Sequence, residues 1–427
     1  RHLHRGSLGR MTASTGMNAE SSRSHAIFTV SIAHERVRQR VQPGCALHLA
    51  RRNVAVVLLE QSRLGWGASG RNGGQVHVGM RRDQLYLERT AGEAAARAFW
   101  RLALEAREHL DWAMQAYDID CSYRPGLIHA DHKVGYVAQS REHVEFMRDR
   151  YGYRDLTFLS QEDLRSMLDS TSYYGGSFDA RGGHLHAMEW ALGLAHAAQS
   201  HGASLHEGVE VMSIEQDGPG FLVRATTGTV RANRVVVACN GYLRRMLPKV
   251  QARVMPINNY IAVTEPLGAQ ARALIRNGAA VSDSRFVVNY FRMTTDDRLL
   301  FGGGENYSYR FPDDIGAFVR PHVAGVFPEL AGVRFDYAWG GTLGITATRM
   351  PYIRELAPGL INLSGFSGLG VVLAPYVGKI AADALVGERT SFNLLAGLSV
   401  PPFPGGRWFR WPTLVAAMLY YALRDRL

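Results

Sequence analysis

The hydrophobic positions change period several times along the chain, and each change marks an element. "ALHLARR" (46–52) has helical spacing, and Asn53 after it is a residue that accepts the left-handed conformation of a helix stop. "VAVVLLE" (54–60) is a continuous apolar run of strand length, the mark of a parallel strand covered on both faces. Residues 83–118 place Leu87, Ala91, Ala95, Phe99, Leu102, Leu110 and Met114 three and four apart, which predicts a long helix, and a second helix is predicted over 185–200. From Ser204 to Gly241 apolar and polar residues alternate between glycine breaks, a meander that closes in the buried strand "RVVVACNG". Residues 253–310 supply further strands around turns such as "TTDDR", and "GLINLSGFSGLGVVLAPYVGKIAADALVG" reads as strand, glycine turn and helix. The pattern is α/β (α+β overall), without an internal repeat or a low-complexity linker.

Composition narrows the class. The 427 residues are 46% hydrophobic and 20% charged, enough for a large core in two or three domains. The net charge of +10 suggests nucleic acid until its carriers are counted: three lysines (Lys133, Lys249, Lys379) and many arginines, scattered among acids as in "REHVEFMRDRYGYRD". No basic stripe with interleaved aromatics forms a phosphate track, so no nucleic-acid partner is expected. No apolar window reaches the ~18–20 residues of a membrane span, and the C-terminal "WPTLVAAMLYYALRDRL", read as a helix packed on its own domain, ends in charges. Cys45, Cys121 and Cys239 have neither metal-ligand nor CxxC spacing. No metal is expected, and a reducing, intracellular compartment fits. The cytoplasm comes first; the first 19 residues, with arginine and serine but no acid, keep a mitochondrial presequence as the alternative.

The chemistry concentrates in glycine-rich turns at strand ends: "GWGASGRNGGQ" after the strand ending at Glu60, "ACNGY" after a later strand, and "GFSGLGVV" between a strand and a helix. Glycines let backbone N–H groups approach a bulky anion, and a helix N-terminus adds partial positive charge. Glu60, at the tip of the second strand, has the residue type and position that bind an adenosine ribose.

From about residue 45 to the end the chain resembles the FAD-dependent oxidoreductases of the D-amino-acid oxidase type, in the branch of the gamma-glutamylputrescine oxidoreductase-like flavoproteins. The residues that carry the resemblance are "LGWGASGRNGGQ", "GGHLHAMEWALGLA", "VVVACNGY", "YFRMTTDDRLLFGGGE", "WGGTLGITATRMPYI" and "GFSGLGVVLAPYVGKIAADAL". It implies an FAD-binding Rossmann-like domain with a mixed parallel sheet (41–100, 178–250 and 336–427), interleaved with a substrate domain on an antiparallel sheet and helices (101–177 and 251–335). It implies ribose binding by Glu60, a pyrophosphate turn of Ala68, Ser69, Gly70 and Arg71, and an approach to the isoalloxazine by Asn72, Gly73, Gly74 and Gln75. Val211 would meet the adenine side, and Cys239, Asn240 and Gly241 would form a strand-end turn near the FAD. Gly368, Leu369, Gly370 and Val371 would close over the flavin; many relatives carry a histidine where Leu369 stands, so that role is lost here. No cysteine matches a flavin-attachment position, so the FAD is expected to be non-covalent. The implied reaction passes a hydride from the α-carbon of a neutral amine to flavin N5; the imine hydrolyses in water, and oxygen or another acceptor takes the electrons. Tyr290, Arg292 and Arg349 are the expected substrate contacts, with His77 beside them. An arginine suits a carboxylate through its bidentate fork; the alternative for each is an ion pair within the protein, and for His77 a packed histidine.

The N-terminus departs from this pattern. A dinucleotide site normally begins with a strand and G-x-G-x-x-G, but "TVSIAHERVRQRVQPG" stands there, with Gly44 its one glycine. Residues 10–36 resemble switch I of the kinesin motor domain, with the core "NxxSSRSH" at Asn18, Ser21, Ser22, Arg23, Ser24 and His25. The chain has no GxxxxGK[ST] loop, so no cradle for ATP phosphates and no motor is expected. The expectation is a chimaera: a kinesin-like fragment (1–40), not a domain of its own, in place of the first strand and glycine motif. Its run "RSHAIFTVSIA" is a candidate substitute strand. Two further readings stand beside the oxidoreductase, a non-catalytic protein that keeps the fold and a microtubule-associated protein.

Overall fold

The computed structural model describes residues 27–32, 43–243, 246–306 and 310–406, with 409, 412, 413, 415 and 416 beyond them. The kinesin-like core Asn18–His25 and most of the expected C-terminal helix lie outside the described residues.

The strand β1 (Ile27–Ile32) stands in the middle of a six-stranded sheet, so the slot expected to be lost is filled. It is followed by helix α1 (Pro43–Ala50) and by β2 (Ala55–Glu60). The sheet order is Tyr352–Ala357, Leu360–Ser364, Arg234–Val237, β1, β2, Ser204–His206. Arg234–Val237 pairs parallel with Leu360–Ser364, and β2 pairs parallel with Ser204–His206, as in a dinucleotide-binding sheet. β1 is reversed, antiparallel to both neighbours: Ile27 pairs with Glu60 and Ile32 with Ala55 on one side, and Phe28 pairs with Val237 on the other. The ladder is thereby closed, and β2 and Arg234–Val237 have no open edges. The exit of β1, however, points to the end of the sheet away from Glu60. In the usual order a first strand runs parallel and delivers its glycine turn beside that acid.

α1 keeps the packing of the helix that normally follows the glycine motif. It lies on helix Gly370–Leu385 at an approach only glycines allow: a Cβ on Gly44 would stand 2.7 Å from Pro375 Cα, and one on Gly378 would stand 2.6 Å from the Cys45 nitrogen. Asn53 takes φ 57° after it, the expected left-handed stop. The long helix predicted over 83–118 is two, Gln84–Ala91 and Glu93–Ala116, because Gly92 at φ 85° breaks the ladder. The second predicted helix is Ala187–Ser200.

The other large sheet has nine strands, running from Phe335–Ile345 through Met255–Thr264, Leu299–Asn306, Tyr290–Met293, Ala280–Asp283, Arg124–Ala130 and Gly176–His184 to Gln75–Val76, with Leu156–Leu159 off this path. The expected domain boundaries at 177/178 and 335/336 fall inside Gly176–His184 and Phe335–Ile345. Gln75–Val76, directly after the first glycine turn, belongs to this second sheet, so one turn joins the two sheets and the site forms there.

Candidate active site

The glycine turn after β2 is held on every side. Asn72 Nδ2 donates to the Ala68 carbonyl at 2.8 Å, and Asn72 Oδ1 accepts from the Gly74 N–H at 2.8 Å, which clamps the short helix Ala68–Arg71 to the strand that follows. Gly74 takes φ 75°, and a Cβ there would stand 1.8 Å from the Leu185 carbonyl oxygen. Arg71 stacks on Trp66, its Cζ 4.2 Å from the ring centroid, and donates to the Trp66 carbonyl at 2.6 Å. Arg292 is buried and gives its Nε–H to the Gly73 carbonyl at 2.8 Å. Burial lowers its pKa to about 10.

A cavity of about 280 Å³ opens at this turn. Ala68, Arg71, Asn72, Gly73, Gln75 and His77 line it from the turn; Gly368, Leu369 and Val371 line it from the start of helix Gly370–Leu385; Tyr290 and Arg349 complete it. Gly368 sits at φ 96° with no atom within 4 Å of where a Cβ would stand. Helix Gly370–Leu385 has no acid in its first turn and no side-chain cap, which leaves its partial positive charge toward the cavity. Arg349 holds φ 65°, a left-handed conformation that costs a non-glycine residue ~1–2 kcal/mol. Strain of this kind concentrates at functional sites.

Tyr290 is placed by absent side chains. It pairs with Gly302, whose Cβ would lie 2.0 Å from Tyr290 Cζ, and its ring packs on Gly73, whose Cβ would lie 2.5 Å from Cε2. The ring therefore crosses the bare strand, and its hydroxyl donates to Asn259 Oδ1 on the next one. Gln75 Nε2 donates to the Val281 carbonyl at 2.6 Å, and His77 Nε2 lies 3.2 Å from Gln75 Oε1.

Several expected residues stand away from the cavity. Arg292, expected as a substrate contact, does not line it and instead braces the Gly73 carbonyl. Ser69 is exposed, and Gly70 packs on the Gly65 carbonyl, 2.3 Å from its would-be Cβ. Gly74 and Gly370 lie behind the lining. Val211 and Cys239 belong to the core beneath β2. Asn240, at φ 47°, accepts the Gly365 N–H at 2.9 Å, and Gly241 passes the Leu343 carbonyl, 2.4 Å from its would-be Cβ, so this turn ties two strand ends together. Asn259, Phe286, Leu343, Ile345 and His129 line the cavity and were not foreseen.

Glu60 is 1% exposed at the end of β2, and its Oε1 accepts the Ser62 N–H at 2.9 Å. Burial raises its carboxyl to about 8, with the Glu207 charge adding to the effect and the Ser62 hydrogen bond opposing it. Between pH 4.5, the ordinary value, and about 8 the folded chain holds a proton that the unfolded chain has lost, so stability falls as pH rises through that window. Glu60→Gln removes this loss. Thermal unfolding of the flavin-free proteins should show the variant gaining on the wild type from pH 5 to pH 8; a constant gap would contradict it.

The turn and the open Gly368 cradle leave room for a flavin ring, and Glu60 stands buried at the strand tip where the ribose acid was expected; the glycine fingerprint for the pyrophosphate is absent from the sequence. Fold and site put the chain among the flavin-dependent oxidoreductases. It belongs to the FAD dependent oxidoreductase family (DAO), whose model matches residues 44–384, and FAD is its cofactor. Its relatives include the oxidoreductase OrdL of Rhizobium meliloti (strain 1021), 41% identical over 89% of both chains. The gamma-glutamylputrescine oxidoreductase of Escherichia coli (strain K12) is 38% identical over 90% of both. Glycine oxidase from Geobacillus kaustophilus shares the fold, with a TM-score of 0.70 at 21% identity, covering 84% of this chain and 95% of that one. A kinesin motor domain model matches residues 1–53, too short a stretch to place the chain in that family. The non-catalytic and microtubule-associated readings gain no support from these comparisons.

Proposed function

We propose that the chain oxidises an amine or amino-acid type substrate in the Tyr290–Arg349 cavity, with non-covalently bound FAD. The observation that carries this reading is a single cavity shared by the Gly73–Gln75 turn, the start of helix Gly370–Leu385, Tyr290 and Arg349. The E. coli relative, named for gamma-glutamylputrescine, supports the substrate class. When bound, FAD supplies the two-electron acceptor.

The chain's own residues do the rest. Arg71, Arg81 and Arg349 line the cavity, and Asp283 is already paired with Arg285. A cationic surround lowers the pKa of a bound amine and favours its neutral form. Tyr290 is fixed on Asn259 and Gln75 on the Val281 carbonyl, so neither has to be ordered by the substrate. Phe286, Leu343, Ile345 and Leu369 keep part of the wall apolar and exclude water. Arg349 is the carboxylate contact for amino-acid type substrates. Oxygen or another small acceptor takes the electrons, and three buried cysteines held as thiols suit an intracellular, cytoplasmic setting.

Two arginine variants separate the roles. Arg349→Ala should raise KM for a carboxylate-bearing amine more than tenfold, about 1.4 kcal/mol, with flavin content unchanged. Arg292→Ala should instead lower thermal stability and flavin content, because it strands the Gly73 carbonyl at a cost of ~1–3 kcal/mol. The reverse assignment of effects would overturn both roles. The reading as a whole is tested by mixing holoenzyme with amines without oxygen and following flavin bleaching, then assaying hydrogen peroxide on admitting air. Failure of every amine and amino acid to bleach the flavin would refute it.

A further inference from the structure

Strands Ala280–Asp283 and Tyr290–Met293 pair antiparallel, Val281 with Phe291 and Ser282 with Tyr290, and residues 284–289 join them. This loop brings Phe286 and Val288 into the wall of the cavity that Tyr290 and Arg349 share. One carboxylate closes it. Asp283 is 2% exposed; its Oδ1 accepts the Arg285 N–H at 3.2 Å and the Asn289 N–H at 3.0 Å, and its own N–H donates to the Asn289 carbonyl at 2.9 Å. Its Oδ2 accepts from the Arg285 guanidinium and, at 3.2 Å, from Oη of the fully buried Tyr173. Beside it the Ser284 N–H donates to the Ala130 carbonyl at 3.1 Å, and Ser284 Oγ accepts the His132 N–H at 3.0 Å. A loop tied at both ends by a buried, paired carboxylate has little order left to gain when a ligand arrives.

What the loop holds is an aromatic ring beneath a cation. Arg349 Cζ stands 5.1 Å from the Phe286 ring centroid. The arginine's backbone is set by a separate turn: its N–H donates to the Thr346 carbonyl at 3.0 Å, and Arg82 Nε–H donates to the Thr348 carbonyl at 3.1 Å. A fixed backbone settles where a long side chain starts, but not where its guanidinium ends. The ring does the second job without using a donor. All five N–H groups lie in the guanidinium plane, and stacking engages only its face. An aliphatic side chain could fill the same space, but it lacks the negative π face that attracts a cation.

Resting on the reading of Arg349 as the carboxylate contact, we infer that Phe286 is a specificity-determining positioning residue. Its ring orients the Arg349 guanidinium so that the edge bearing the N–H groups meets a carboxylate, and the Asp283 clasp keeps the ring in place. The preference for a carboxylate over a neutral group of the same shape is thereby set in part by a residue that carries no charge.

The test uses butyrate and its amide, butyramide, as inhibitors of anaerobic flavin bleaching by an amine, on the holoenzyme. Wild type should prefer butyrate by about tenfold in inhibition constant, and Arg349→Ala should abolish that preference. Phe286→Leu should cut it by about fivefold, while Phe286→Tyr, which keeps the ring, should retain it. On an Arg349→Ala background Phe286→Leu should have no further effect on the preference, because the ring acts through the arginine. A preference unmoved by Phe286→Leu overturns the inference and leaves the Arg349 assignment standing. So does an equal loss in Phe286→Tyr, or a loss that persists on the Arg349→Ala background. A wild type without the preference, or a preference that survives Arg349→Ala, refutes the Arg349 assignment and this inference with it. Bleaching by no amine refutes the amine reading itself, and both with it.

Discussion

Gly74→Ala should lower stability and nearly abolish flavin retention. The new Cβ would lie 1.8 Å from the Leu185 carbonyl oxygen, a backbone atom that cannot rotate aside, at a φ of 75° that alanine disfavours. The left-handed backbone costs ~1–2 kcal/mol and the overpacking a further ~1–3 kcal/mol. Relief requires the strand Gln75–Val76 to part from His184, which breaks the Leu185 N–H bond to the Gly74 carbonyl and moves the Gly73 carbonyl off Arg292. A fall in Tm of ~2–6 °C and flavin content below about a tenth of wild type are expected, read by thermal unfolding and by absorbance per chain. Gly368→Ala is the control for stability, read on the flavin-free proteins: it shares the positive φ, but its Cβ meets no protein atom within 4 Å, so only the backbone cost should appear. Equal effects of the two substitutions would contradict this account of the turn.

The second large effect belongs to β1. Val30 pairs with Val57 on one side and Val235 on the other, so its N–H serves a ladder in the middle of the sheet. Proline is tolerated on edge strands and excluded from such a position. Val30→Pro should open the sheet between β2 and Arg234–Val237, lower Tm by more than about 5 °C and release flavin. Hydrogen exchange checks the cause directly: the Ile27–Ile32 amides should be protected in wild type and exchange rapidly in the variant. Rapid exchange there in wild type would mean that β1 does not hold the sheet together.

The strand and its direction differ in how legible they were. "AIFTVSI" is an apolar run, and such a run predicts a strand equally well in either orientation. Direction depends on which neighbours the strand meets, and the reversed pairing of Ile27 with Glu60 has no local mark. The turn residues from Ala68 to His77 and the segment from Gly368 to Val371 were legible because glycine clusters at strand ends carry their chemistry in the sequence itself. Tyr290 and Arg292 stood two apart on one strand and looked equivalent. What separates them is long-range: Gly302 clears a path for the tyrosine ring, while the Gly73 carbonyl captures the arginine. Asn259, His129 and Phe286 reach the cavity only through pairing of distant strands, so no spacing announced them.

The central claim is that FAD binds a site whose turn at Gly73–Gln75 and cradle at Gly368 are in place while its first strand runs backwards and its glycine fingerprint is absent. The absorption spectrum of the purified chain, before and after adding FAD and removing the excess, tests it most directly. The account predicts bound flavin, with bands in the near-ultraviolet and blue, at about one per chain, as a family member with one cofactor site requires. A colourless protein that takes up no FAD would contradict it, and would mean that the reversed strand closes the sheet without restoring the site.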